Sequence, residues 1–149
     1  MVPRMTLNLV KLCVGVSAIE ELQAWVDYRL GERARLGKPL EQIHTTRMMP
    51  RRRDELLAGG SLYWVIKGNI QLRQRLLDIR PFVDDQGIKR CDLVLQPRLI
   101  ATHWHPRRAF QGWRYLAGDD APQDLANDKT GSEQLPGHLK AELSNLGLL

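Results

Sequence analysis

Basic and aromatic side chains are the residues of this chain that could do chemistry, and they lie mainly in its middle. Four arginines fall within residues 47–53, and a guanidinium pairs well with phosphate. Cations attract the phosphates of nucleic acids, and flat rings stack with unpaired bases. The pattern therefore predicts an RNA-binding surface that includes Lys67. Its expected phosphate contacts are Arg47, Arg51, Arg52, Arg53, Arg73 and Arg75, and its expected base contacts are Tyr63, Gln111, Trp113 and Arg114.

Several of these aromatic and basic residues also have a purely structural explanation. Trp64 lies on the apolar face of a predicted strand, which indicates a core position. Tyr63 and Lys67 share the opposite face, which could simply be solvated. Trp113 could anchor the packing of a loop. The sequence leaves these alternatives open.

The charge distribution favours a polyanionic partner. The net charge is +5, but residues 29–116 hold 18 basic and 8 acidic side chains, a net charge of +10, and 15 of those 18 are arginine. The arginine triplet at residues 51–53 begins a predicted helix, where it opposes the helix dipole and so suggests selection by another interaction. An Arg-rich surface without any partner is the alternative.

Motifs for other chemistries are missing from the sequence. It contains neither a G-x-x-x-x-G-K-[ST] phosphate loop nor a G-x-S-x-G nucleophile elbow. Cys13 and Cys91 form no C-x-x-C motif, and His103 and His105 have no third ligand at a metal-binding spacing. We therefore expect no catalytic residue, metal or cofactor.

Both cysteines lie in apolar, strand-like stretches, so we expect buried, reduced thiols. The apolar stretch at residues 7–16 is too short to span a bilayer and lacks a small-residue cleavage site. These features predict a cytoplasmic protein that is not associated with a membrane.

Apolar periodicity predicts the elements that position these residues. Ser17 and Glu20 form a capping box before a helix that runs from about residue 18 to about residue 30, or on to Leu36. A phase change in the alternation near residues 74–76 predicts a β-bulge. Strands are expected at residues 6–14, 42–48, 61–68, 70–80, 88–96 and 99–104, and a short helix at residues 51–58.

The succession of strands from residue 61 to 104, without a helix between them, favours an α+β fold. We expect a mostly antiparallel sheet that can close into a small barrel, with one long N-terminal helix and short helices. The 149 residues, 43% of them apolar, suit one domain over residues 1–125. Residues 126–149 are expected to form an acidic C-terminal tail with a short helix.

Six motifs carry a resemblance to a known family: LVKLCVG at residues 9–15, TRMMP at 46–50, RDELL at 53–57, GSLYWVIKG at 60–68, RQRLL at 73–77 and FQGWRYL at 110–116. They resemble an uncharacterised family of bacterial proteins of about this length, filed as a domain of unknown function. The resemblance covers roughly residues 5–125 and implies no activity or site.

The order of elements also resembles that of the PUA-like and ASCH-like β-barrels. Those folds place a Lys/Thr/Arg-type strand, a short helix and a Gly-started strand in succession, as at residues 45–47, 51–58 and 60–66. The chain has Gly-Ser where those folds have Gly-Asp, and the long first helix is not a standard feature. This resemblance implies binding of RNA or of modified bases.

Three functions follow from these observations. The leading hypothesis is an RNA-binding or RNA-associated accessory protein that is not an enzyme. The second is a small hydrolase or nucleotide-processing enzyme with a cleft near His44, Arg47 and Lys67. The third is a protein-interaction subunit of a larger complex, which binds its partner through the acidic tail and exposed aromatic residues.

Overall fold

A mixed, seven-stranded sheet and two helices make up the fold, seen in a computed structural model that describes residues 6–125. The acidic tail at residues 126–149, with its expected short helix, lies outside the described residues. The elements in chain order are β1 (Leu7–Leu12), α1 (Ile19–Arg35), β2 (Gln42–Thr46), α2 (Arg53–Leu57), β3 (Ser61–Ile66), β4 (Asn69–Val83), β5 (Lys89–Leu95), β6 (Ile100–Pro106), β7 (Trp113–Ala117) and a short 3₁₀ helix (Gly118–Asp120).

The strand order is β2-β5-β4-β3-β1-β7, and β6 pairs with β4 beside this path. β1 and β3 are parallel, whereas every other pair in the described part of the sheet is antiparallel. The prediction of a mostly antiparallel α+β fold is therefore confirmed. The two end strands, β2 and β7, do not pair with each other within residues 6–125, so the sheet there is open and not a closed barrel.

The structure tests the local predictions for the start of α1, for a β-bulge in β4 and for the stretch after β6. The helix expected after residue 18 is α1, but the predicted capping box of Ser17 and Glu20 is wrong: the N-cap is Ala18, and the Ser17 N–H donates to Glu21. The ladder between β4 and β5 shifts register between Leu76 and Asp78, close to the expected bulge. Strand β7 lies beyond the last expected strand, in a stretch for which the sequence predicted no strand.

Each face of the sheet carries its own apolar cluster. The helical face, which α1 and α2 cover, includes the buried side chains of Leu9, Leu62, Trp64 and Leu72. The opposite, loop face includes Val10, Tyr63, Val65, Ile70 and Leu116, against which parts of residues 110–121 pack. The core position predicted for Trp64 is confirmed, since only 3% of this residue is exposed.

Gly60 lies where the end of α2, the start of β1 and the start of β3 approach most closely. Its N–H donates a hydrogen bond of 2.8 Å to the Leu56 carbonyl, and its own carbonyl accepts one of 3.0 Å from Leu76. A Cβ atom at Gly60 would overlap the carbonyl oxygens of Leu7 and Leu56. Only glycine therefore fits this position without displacing backbone.

Gly60→Ala should lower the free energy of unfolding by about 3 kcal/mol, because backbone atoms of two elements would have to move. Urea denaturation measures this change. Gly31→Ala is the matched control, since a Cβ there meets no atom within 4 Å and alanine stabilises a helix by up to about 1 kcal/mol. Equal stability of the two variants would contradict the close approach at Gly60.

Candidate functional site

A cavity of about 460 Å³ opens between α1, the end of β1 and the start of β2. Its walls combine apolar, aromatic and charged side chains, among them Lys11, Trp25, Arg29, Arg33, His44 and Trp64. His44 was the one cavity residue named in the sequence hypotheses, as part of a cleft with Arg47 and Lys67. Neither Arg47 nor Lys67 lines this cavity.

Strands β1 and β2 and helix α1 hold the side chains of the cavity on the helical face of the sheet. Lys11 is the cross-strand neighbour of Trp64 on β3 and of Trp113 on β7, so the three side chains share one face. From β2, the His44 ring packs edge-on against Trp64, with 5.0 Å between the ring centroids. On α1, Val26 is buried while Trp25 lies on the cavity side, 52% exposed.

His44 and Lys11 each present the cavity with a polar group that has no hydrogen-bond partner among residues 6–125. These groups are the buried Nε2 atom of His44 and the ammonium group of Lys11. Burial lowers the pKa of Lys11. Burial, together with the nearby charge of Lys11, lowers the pKa of His44 to about 4, so its imidazole is neutral near pH 7. An unpartnered cation and an unpartnered imidazole nitrogen are thus available to a ligand.

Cys13 also lines the cavity, but the surroundings do not activate it as a nucleophile. Burial raises the pKa of its thiol to about 11, so the thiol stays protonated near neutral pH. Within the described residues no carboxylate hydrogen-bonds to His44, as the orienting group of a catalytic triad would. The arrangement favours binding over covalent catalysis.

The mouth of the cavity is aromatic and cationic. The Trp25 ring stacks on Tyr28 at 5.9 Å, and the Arg29 guanidinium lies 5.4 Å from the centroid of Trp25. Arg33, further along α1, lies 3.7 Å from Glu41. A half-exposed indole beside a guanidinium suits the stacking of a planar, electron-rich ligand.

Residues 47–53, here named the arginine segment, lie on the same side of the sheet as the cavity. The Trp113 indole donates a 2.8 Å hydrogen bond to the Met48 carbonyl, and Trp113 neighbours Lys11 across the strands. The Tyr115 hydroxyl accepts hydrogen bonds from the N–H groups of Arg51 and Arg52 at 3.0 and 3.2 Å. β7 therefore fixes the backbone of the segment beside the cavity.

The four arginines of the segment differ in what their guanidinium groups contact. Arg47 and Arg51 are exposed, and their side chains have no acidic partner among the described residues. Arg52 pairs with Glu55 on the same exposed surface. Arg53 is ion-paired to Asp78 and donates to a β4 carbonyl, so its expected phosphate contact is replaced by a structural one.

Tyr63 and Arg73 do not lie on a surface, which corrects their expected ligand contacts. Tyr63 is completely buried on the loop face. The Arg73 guanidinium donates hydrogen bonds of 2.8 and 2.7 Å to Asp124 and one of 2.8 Å to the Ser61 hydroxyl. Burial alone would lower the pKa of Arg73, but its bonds to Asp124 raise it. Residues near Asp124 cover the strand face that the alternation indicated as outward.

Of the remaining residues predicted to contact RNA, one is buried and four are exposed. Trp113 is 8% exposed and anchors the arginine segment, which corrects its expected base contact. Lys67 and Arg75 are exposed, as are Gln111 and Arg114, where the Arg114 guanidinium lies 5.2 Å from the Phe110 ring. The predicted residues therefore do not form one surface but lie on both faces of the sheet.

Sequence reasoning missed Lys11, Trp25, Arg29 and Arg33 as site residues. Lys11 did leave a signal, because it interrupts an apolar strand. The α1 residues left none, because an exposed helix face ordinarily carries such side chains.

Residues 9–149 match the family described as Protein of unknown function (DUF1489). The chain belongs to the DUF1489 family. No curated protein and no solved structure matches this DUF1489 chain, and the resemblance to PUA-like barrels is not confirmed. The family assignment confirms the resemblance carried by the six sequence motifs.

Two further observations concern residues 6–125 of this DUF1489 chain. No group of three or more His, Cys, Asp or Glu side chains in that range could hold a metal ion. No helix in the same range has both the length and the apolar character needed to cross a membrane.

The burial of His44 should make this DUF1489 protein less stable in mild acid. Its pKa is about 4 in the fold against 6.5 ordinarily, so the unfolded chain binds a proton that the folded chain excludes as the pH falls from about 7 to 4. Between pH 7 and pH 5 this lowers the free energy of unfolding by about 2 kcal/mol. Urea denaturation at both pH values measures the loss.

His44→Gln should remove that part of the pH dependence, whereas His105→Gln, at an exposed position, should keep the wild-type loss. The same loss in His44→Gln as in the wild-type protein would contradict the burial of a neutral imidazole.

Proposed function

We propose that the protein binds RNA, as an RNA-binding or RNA-associated accessory protein of the cytoplasm. The proposal rests on the guanidinium groups of Arg47 and Arg51, which have no ion pair or hydrogen bond among residues 6–125. Both lie on a backbone segment that Trp113 and Tyr115 hold in place.

The fixed backbone makes these two arginines better phosphate ligands than arginines of a mobile loop. Three hydrogen bonds from β7 side chains restrain the segment, so less conformational entropy is lost when a strand binds. A planar guanidinium can donate two parallel hydrogen bonds to one phosphate. Arg52 adds a third positive charge, partly balanced by Glu55.

The cavity mouth supplies the aromatic groups that RNA binding needs. Trp25 and Tyr28 present stacked, exposed rings on α1, next to the charge of Arg29. Rings of this kind accept bases only where the bases are unpaired, so the proposal favours single-stranded or looped RNA over a duplex.

Replacing Arg47 and Arg51 together by glutamine should weaken the binding of single-stranded RNA by about tenfold and flatten its salt dependence. Each phosphate contact with a single strand contributes about 0.7 to the slope of log K against log salt, so the slope should fall by about 1.4. Fluorescence anisotropy of a labelled oligoribonucleotide over a salt series measures both quantities.

Lys89→Gln with Arg98→Gln is the control, because it removes the same charge at exposed positions on and after β5. We expect the control to bind RNA with nearly the wild-type slope. An unchanged affinity and slope in the Arg47/Arg51 variant, or equal losses in both variants, would overturn the assignment to the arginine segment.

A further inference from the structure

We propose that the cavity beside α1 is a nucleotide pocket, in which Lys11 binds the phosphate and His44 and the tryptophans receive the base. The inference rests on the proposed RNA binding and specifies the ligand class of the adjoining site. The nucleotide can be a free mononucleotide or the terminal nucleotide of an RNA strand, since both present the same phosphate and base.

The ammonium group of Lys11 points to an anionic ligand. It is partly buried on β1 and has no hydrogen bond or ion pair among the described residues. Neither carboxylate of the cavity pairs with Lys11: Glu41 lies 2.9 Å from Arg80 and 3.7 Å from Arg33, and Glu21 accepts a 3.4 Å hydrogen bond from the Ser17 N–H. A partly buried cation without a counter-charge is unfavourable, and a phosphate would supply the missing partner.

The imidazole of His44 points to a ligand with a polar edge. Its Nε2 atom is buried and has no hydrogen-bond partner among residues 6–125, while its ring is held edge-on against Trp64. A buried polar atom in a native protein normally has a hydrogen-bond partner. The edge of a nucleobase offers both donors and acceptors, so it can bond to this nitrogen in either tautomer.

The dimensions and walls of the cavity suit a planar ligand of nucleotide size. Its volume of about 460 Å³ falls within the range of small-molecule sites, roughly 300–1,000 Å³. Leu22, Val26 and Trp64 supply apolar surface inside, and Trp25 supplies a half-exposed ring at the mouth. Inorganic phosphate would satisfy Lys11 but leave these walls and His44 without contacts.

The charges of the lining also favour an anion. The lining contains three cationic side chains, Lys11, Arg29 and Arg33, and two carboxylates, Glu21 and Glu41. His44 is neutral near pH 7. The cavity therefore carries a net positive charge that a nucleotide phosphate would balance.

The test is a titration of the full-length protein with adenosine and uridine 5′-monophosphates, the matching nucleosides and inorganic phosphate. Tryptophan emission is the readout, because Trp25 and Trp64 line the cavity. We expect a saturable change with a monophosphate, and affinities lower by roughly tenfold or more for the nucleosides and for phosphate alone. Equal affinity for phosphate and nucleotide, or no saturable change, would overturn the inference.

Lys11→Met keeps most of the length of the side chain and removes its charge. It should reduce nucleotide affinity roughly tenfold or more, while its melting temperature without ligand stays equal to or above that of the wild-type protein. Lys38→Met, at an exposed position after α1, is the control and should bind nucleotide normally. Normal nucleotide binding by a folded Lys11→Met variant would overturn the role of Lys11.

RNA oligomers with and without a 5′-phosphate distinguish the two sources of the nucleotide. Preference for the phosphorylated oligomer, lost in Lys11→Met, indicates a strand terminus, whereas equal binding of both oligomers alongside mononucleotide binding indicates a free nucleotide. The Arg47/Arg51 variant should still bind mononucleotides. If RNA binding depends on Arg47 and Arg51 but no mononucleotide binds, the pocket inference fails and the proposed function stands.

Discussion

The parallel pairing of β1 with β3 is the constraint on which the rest of the structure depends. Parallel neighbours cannot be joined by a hairpin, so the chain between them has to cross one face of the sheet. That crossover contains α1, β2 and α2, and the cavity opens where α1 and β2 meet the end of β1. The crossover ends at Gly60, where the chain passes from α2 to β3 so close to the backbone of β1 that a side chain would not fit.

Local patterns were sufficient to predict both helices and every strand up to β6, but they predicted neither β7 nor the surfaces that the elements present. The strands between residues 61 and 104, the helix α1 and the buried Trp64 follow from periodicity, because each depends on neighbours in sequence. Tyr63 and Arg73 alternate as solvent-facing residues would, yet a remote segment that includes Asp124 covers them. The alternation of side chains within a strand cannot show that a segment about fifty residues further along the chain packs over one of its faces.

The same limit applies to the candidate site. Composition correctly marks the middle of the chain as basic, but it cannot distinguish an arginine within reach of an acid from one without a partner. Arg53 and Arg73 contact Asp78 and Asp124 and stabilise the fold, whereas the side chains of Arg47 and Arg51 meet no acid within residues 6–125. The cavity depends on the approach of α1 to β2, and its traces in the sequence were His44 and the position of Lys11 within an apolar strand.

The most direct test of the account is whether the protein carries RNA when it is purified from cells at low salt. The measurement is the ultraviolet absorbance ratio that distinguishes nucleic acid from protein, taken before and after treatment with ribonuclease. The account predicts a high ratio that falls to that of pure protein after ribonuclease, together with recoverable RNA. A ratio typical of protein alone from the start would contradict RNA binding and leave the arginine segment as a solvated surface.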